Sequence, residues 1–222
     1  MMIKLIINAD DFGYSKLFNK RILELVEEGK ITSTSAMVDN INESQQGQVN
    51  LLKSFSEQKI VSVGLHVDFK NTDFQSEIER QFQKFQEIFG FDPKHIDIHK
   101  STYLQDGYIV IQDFAKSKGI PCKNLSGYGE KIMSVPGVIT TKAPILSGTD
   151  KSLDEMRAWL SDSREDLLFI NFHPGYYDPE SKSSLNKERE IDAQKIVEIN
   201  EFIKDKNFKL VSFDINTLKI YN

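Results

Sequence analysis

The chain has 222 residues, 28 of them basic and 33 acidic for a formal net charge of −5, which is long enough for one α/β domain (1–222) with a real core. A lone cysteine, Cys122, excludes an intrachain disulfide and a cysteine-based zinc site, and reads as a small buried hydrophobe. Without a basic block longer than a pair or a run of ~18 apolar residues, nucleic acid and membrane are excluded as partners; a cytoplasmic protein acting on a neutral small molecule is expected, and a homodimer is compatible with it.

The chain opens with an apolar run, Ile3 to Ile7, that leads into Asn8-Ala9-Asp10-Asp11-Phe12-Gly13. A buried strand followed by a helix from Lys16 places the two carboxylates at a carboxyl strand end, where α/β folds carry their chemistry. Two adjacent carboxylates repel, so the pair calls for a cation, a substrate proton or both. Capping of the next helix is the plainer reading, but Ser15 is better placed for that. Phe18, Ile22, Leu25 and Val26 give the helix its apolar face and Gly29 ends it. A Thr/Ser-rich strand over Ile31 to Val38, a weakly amphipathic helix over Ser44 to Glu57 and a strand from Ile60 to Asp68 follow. Phe74, Ile78, Phe82, Phe85 and Phe89 then mark the core face of a long helix stopped by Gly90 and Pro93.

In His95-Ile96-Asp97-Ile98-His99 the period of two puts His95, Asp97 and His99 on one face. Four residues of strand span about 13 Å, so His95 and His99 cannot share a metal, and the carboxyl-end rule selects His99. His95 is expected to be a structural or partly exposed histidine. A helix between Tyr103 and Ser117 and a short strand near Cys122 come next. From Lys123 to Thr149 the glycines and prolines suggest loops and brief strands forming a lid or substrate wall. Leu153, Met156, Trp159 and Leu160 form another helix face. Leu167 to Phe172 is an apolar strand ending at His173-Pro174-Gly175. A helix from about Ser184 to Lys206 and a strand Lys209 to Phe213 close the alternation.

Three of the four histidines, His66, His99 and His173, therefore end apolar strands, as the Asp10-Asp11 pair does. One aspartate with two histidines suits a divalent ion and leaves positions for water and substrate, with a third histidine and a second aspartate free as acid and base. In order, Asn8 to Gly13, Gly64-Leu65-His66, His95 to His99 and His173-Pro174-Gly175 resemble the signatures of the YdjC-like carbohydrate deacetylases, which include chito-oligosaccharide deacetylases. Ile31 to Val38 is similar to that family's second strand. The resemblance implies a deformed (β/α) barrel related to the NodB-type polysaccharide deacetylases, with Asp11, His66 and His99 as metal ligands. It implies magnesium, although the same ligands would hold zinc. Two departures concern substrate choice: Lys100, Ser101 and Tyr103 stand where further histidines are usual, and the segment between His66 and His95 is short.

By the same resemblance Asp10 takes the proton of the attacking water. His173, turned into the mouth by Pro174-Gly175, is the general acid for the leaving amine. A carboxylate, Asp178 or Asp97, would raise its pKa. Tyr128, Tyr176 and Tyr177 are candidates to stack on a sugar ring, with ordinary core or surface roles equally compatible. Two other functions compete. A metal-dependent phosphoesterase would want more ligands and basic residues. A carbohydrate-binding or regulatory homologue without turnover would account for the missing histidines after His99.

Overall fold

The structure, a computed structural model, describes residues 2–99, 105–122, 152–164 and 167–213. Lys100, Ser101, Tyr103 and the loop-rich stretch 123–149 with Tyr128 lie outside them. Among the described residues, strands β1 (Ile3–Phe12), β2 (Ser33–Ala36), β3 (Ser62–Val67), β4 (Ile96–Ile98), β5 (Leu167–Phe172) and β6 (Phe208–Leu210) alternate with helices. The helices are α1 (Lys16–Glu27), α2 (Gln46–Glu57), α3 (Phe74–Phe89), α4 (Gln105–Lys118), α5 (Leu153–Asp162) and α6 (Arg189–Ile203). The strands lie in the order β4-β3-β2-β1-β5, with β6 also beside β1, and every pairing is parallel. Cys122, buried as expected, extends the sheet past β4 through a parallel bridge to Ile96.

Local sequence accounts for most of the boundaries. Ser15 caps α1 by accepting the Leu17 amide at 3.1 Å, and Gly90 closes α3 in the left-handed conformation, φ 78°. Four members of the apolar stripe on α3, Ile78, Phe82, Phe85 and Phe89, are buried, each burial being worth about 1.5–3 kcal/mol. The second strand is shorter than its pattern, Ser33–Ala36 instead of Ile31 to Val38. Likewise α2 starts at Gln46, after a 3-10 turn over Glu43–Gln45 that Asn42 caps.

Alternation along the strands separates two cores. Leu5, Ile7 and Ala9 of β1, Val63, Leu65 and Val67 of β3, and Leu168, Ile170 and Phe172 of β5 face the helices in one continuous cluster. Ile6, Leu167 and Phe169 point the other way and meet Val211 and Phe213 in a smaller cluster. Phe213 stacks on His95 with ring centroids 4.3 Å apart and lies 5.7 Å from Phe169, so strands from opposite ends of the sheet order close on a common interior. The sheet is therefore rolled, with its apolar floor at the amino ends of the strands.

Two strands share one edge of β1. Its odd-numbered residues serve β6 low down, where Ile3 donates to Asn207 O at 2.8 Å, and β2 higher up, where Ile7 O accepts from Thr32 at 3.1 Å. Register then shifts, Ala9 pairing with Thr34 but Phe12 with Ala36, so three steps on β1 answer two on β2. The extra residue is accommodated at Asp11, which takes φ 72°. A bulge of this kind re-aims side chains, and here it turns two consecutive carboxylates into the same interior.

Candidate active site

The carboxyl ends of β1, β2, β3, β4 and β5 deliver the polar side chains. Asp11 Oδ1 lies 2.9 Å from His99 Nδ1 and 3.2 Å from His66 Nε2, and the two imidazole nitrogens are 3.3 Å apart. Two donors bound about 2.1 Å from one ion stand about 3.0–3.4 Å apart at octahedral to tetrahedral angles, so this triangle has the dimensions of one face of a metal site. His66 Nδ1 is engaged by Asp97, the carboxylate support usual behind a metal-binding imidazole. The residues fit a divalent ion in both spacing and chemistry.

Asp10 occupies a separate cradle. Its Oδ1 accepts from Ser35 Oγ at 2.6 Å and Asn8 Nδ2 at 2.7 Å, and its Oδ2 from Asn171 Nδ2 at 2.5 Å. His173 Nε2 stands 3.6 Å from Oδ2. All four neighbours lie on inward-facing or strand-end positions of β1, β2 and β5, so the fold itself sets this geometry.

Electrostatics divide the histidines. Burial pushes the Asp11 carboxyl upward, but hydrogen bonds from His66 and His99 and the charges of His173 and Arg189 outweigh it, leaving Asp11 well below its usual 3.8. Burial works against the His66 cation, yet Asp97, Asp10 and Asp11 surround it and hold its pKa well above 6.5. For His173 burial wins over the attraction of Asp11 and Asp10, with the Arg189 charge acting in the same sense as burial, and its pKa falls below 6.5. Its neighbours are also not those expected. Asp178 accepts the Ser15 hydroxyl, Asp97 belongs to His66, and the carboxylates about His173 are Asp10, Asp11 and Asp192, the last accepting its backbone amide at 2.9 Å.

The remaining sequence candidates separate clearly. His95 is fully buried on the floor, 3.9 Å from Asp97 and stacked on Phe213, far down the strand from the triangle. Tyr176 donates its hydroxyl to Glu24 at 2.5 Å and serves the outer surface of α1, whereas Tyr177 is half exposed. Asn8, Ser35 and Asn171 join the site as donors to Asp10, and each is a polar residue at an inward position, a signal that alternation carries. Arg189 gave no such signal: it is completely buried, and its Nη2 donates to Asp11 Oδ2 at 2.6 Å.

Solved structures share this architecture. An Enterococcus faecalis protein named for cellobiose-phosphate cleavage superposes with a TM-score of 0.73 at 20% identity, over 96% of this chain and 98% of that one. A peptidoglycan N-acetylglucosamine deacetylase superposes with a TM-score of 0.61 at 12% identity, over 98% and 89%. The fold is thus the deformed (β/α) barrel of the NodB-type deacetylases. The family described as YdjC-like protein matches residues 4–74 and 69–209, and the chain belongs to that family. It is 29% identical to the carbohydrate deacetylase of Clostridium beijerinckii over 95% of this chain and 99% of the relative. It is 28% identical to the chitooligosaccharide deacetylase of Serratia marcescens, over 54% of this chain and 58% of that protein. Among the described residues no helix is long and apolar enough to cross a membrane.

Proposed function

We propose that the chain hydrolyses the N-acetyl group of an acetylated amino sugar or short oligosaccharide and releases acetate, with one divalent ion held by Asp11, His66 and His99. The observation that carries this reading is the triangle of one carboxylate oxygen and two imidazole nitrogens, set beside a second carboxylate and a third histidine. The deacetylase names of the Clostridium and Serratia relatives support the same substrate class. Magnesium is what the family resemblance implies. Two imidazoles in a three-residue set favour zinc, since magnesium prefers oxygen donors.

A bound ion would polarise the acetamide carbonyl and acidify water. Asp10, held in its cradle beside the metal triangle, takes the proton from the attacking water. His173, uncharged at neutral pH in the metal-free chain, stands 3.6 Å from Asp10 and can receive that proton before giving it to the departing amine nitrogen. One proton then passes from water to leaving group through two residues. The buried Arg189 is committed to Asp11, which argues against the phosphoesterase alternative and its need for a free basic residue.

Acetate release from N-acetylglucosamine oligomers, measured after chelation and again after adding back zinc or magnesium, tests the proposal. Metal-restored release is the expected result. Full stoichiometric binding of the ion with no release from any N-acetyl sugar would favour a binding or regulatory homologue.

A further inference from the structure

Asp11 divides its two oxygens between different partners. Oδ1 faces His99 and His66 at 2.9 and 3.2 Å, while Oδ2 receives the Arg189 guanidinium at 2.6 Å. Arg189 is itself immobilised from several directions. Its Nη2 also donates to Ser183 Oγ at 3.0 Å, Nη1 lies 3.5 Å from the His173 carbonyl, and the guanidinium carbon lies over Phe18, 3.7 Å from the ring centroid. Gly175 makes that layer possible, because a Cβ there would come within 2.7 Å of Phe18 Cδ1 and 3.0 Å of Arg189 Cδ. A guanidinium of rigid fork geometry, packed between a ring and a glycine turn, offers the carboxylate no second orientation.

A carboxylate free to turn binds a divalent ion through one oxygen or through both, and the second mode consumes another coordination position. We propose that Arg189 is a positioning residue that holds Asp11 to a single metal-facing oxygen, and so keeps open the positions that water and the acetyl oxygen must enter. The inference rests on the metal-site assignment made above. It goes further in giving a role to a residue that touches neither ion nor substrate. It also explains why a cation is buried beside a cation site: its charge and its Nη2 donor face the ligand oxygen pointing away from the ion. Replacement of Arg189 frees Oδ2 to swing toward the ion, and the site then fills with protein oxygen.

X-ray absorption of the zinc-loaded protein reads this directly. In the wild-type chain the proposal requires two imidazoles and one singly bound carboxylate oxygen, without the short metal–carbon distance of a chelating carboxylate. In Arg189→Met it requires one ion still bound, the chelating carbon distance present, and kcat lower by about 10–100-fold with KM little changed. Arg189→Lys, which keeps a charge and a donor, should return part of the rate. A chelating carboxylate in the wild-type chain overturns the inference whether or not any variant folds, and so does an unchanged coordination shell in a folded Arg189→Met. A wild-type chain that binds no ion, or binds it through other residues, defeats the metal-site assignment itself, an outcome distinct from either of these.

Discussion

One short strand meets two environments within a single interior. At its lower end His95 is packed on Phe213, with Ile6, Leu167, Phe169 and Val211 forming the rest of the floor. At its upper end His99 faces His66 and Asp11 among carboxylates, amides and a buried arginine. Both histidines point inward, so facing the interior does not by itself make a ligand; height along the strand decides. The floor excludes water and fixes the strands by packing, and the mouth can then hold Asp10, Asp11, Asp97, His66 and Arg189 nearly without solvent because each satisfies another.

The mouth should be broken most severely by chemistry-specific substitutions. Asp10→Asn is expected to keep the ion and lose about 10²–10⁴-fold in rate, the worth of general-base catalysis. Since Asn8, Ser35 and Asn171 all donate to Asp10, an amide there must oppose one of them, so a modest drop in melting temperature should accompany the loss. If Asp10→Asn lost the ion while Asp11→Asn kept it, the two aspartates would have to exchange roles. His173→Ala should abolish hydrolysis of an N-acetyl sugar while an activated aryl acetate, whose leaving group needs no proton, is still cleaved at full metal occupancy. Equal loss on both substrates would remove the acid role.

A smaller effect follows from His66. In the metal-free chain its pKa is raised well above 6.5 by the carboxylates around it, so near neutral pH an ion must displace its proton. Ion affinity should therefore fall about tenfold for each unit of pH lowered below that raised value, and level off above it. The sign for stability is the opposite. In the metal-free chain the His66 pairing contributes fully below 6.5 and is lost as pH rises through the raised value. Titrations of ion affinity and of the metal-free melting temperature that moved in the same direction would contradict this.

The floor should respond differently again. At Gly64 an added Cβ would lie 2.2 Å from the His95 ring, so Gly64→Ala must push that ring off Phe213. A loss of about 1–3 kcal/mol in stability is expected, with ion stoichiometry unchanged. Denaturant unfolding and metal analysis of the same preparation would show whether the two halves are separable.

Much of this arrangement was legible beforehand because it follows from period and position. The strand ending at His173 has the expected limits, Leu167–Phe172, and Asp11, His66 and His99 meet where strand ends were expected to meet. What escaped depends on tertiary closure. Arg189 sits in the run Lys187-Glu188-Arg189-Glu190, which reads as a solvated helix start, and only the approach of Phe18 and Gly175 buries it. The left-handed turn at Asp11 is equally invisible, since nothing local requires φ 72° of an aspartate until β2 is paired beside it. The carboxylates that act on His173 are Asp11, Asp10 and Asp192, while Asp178 takes the Ser15 hydroxyl and Asp97 engages His66, because a side chain's partner across the barrel is set by how the sheet rolls and not by sequence spacing.

Metal analysis of His99→Ala and His95→Ala, purified and loaded side by side, tests the central claim most directly, because the two residues share a strand and a face and differ in height. The account predicts that His99→Ala retains no stoichiometric zinc, whereas folded His95→Ala binds one ion per chain like the wild type. Undiminished zinc in His99→Ala, or its loss from a folded His95→Ala, would contradict it.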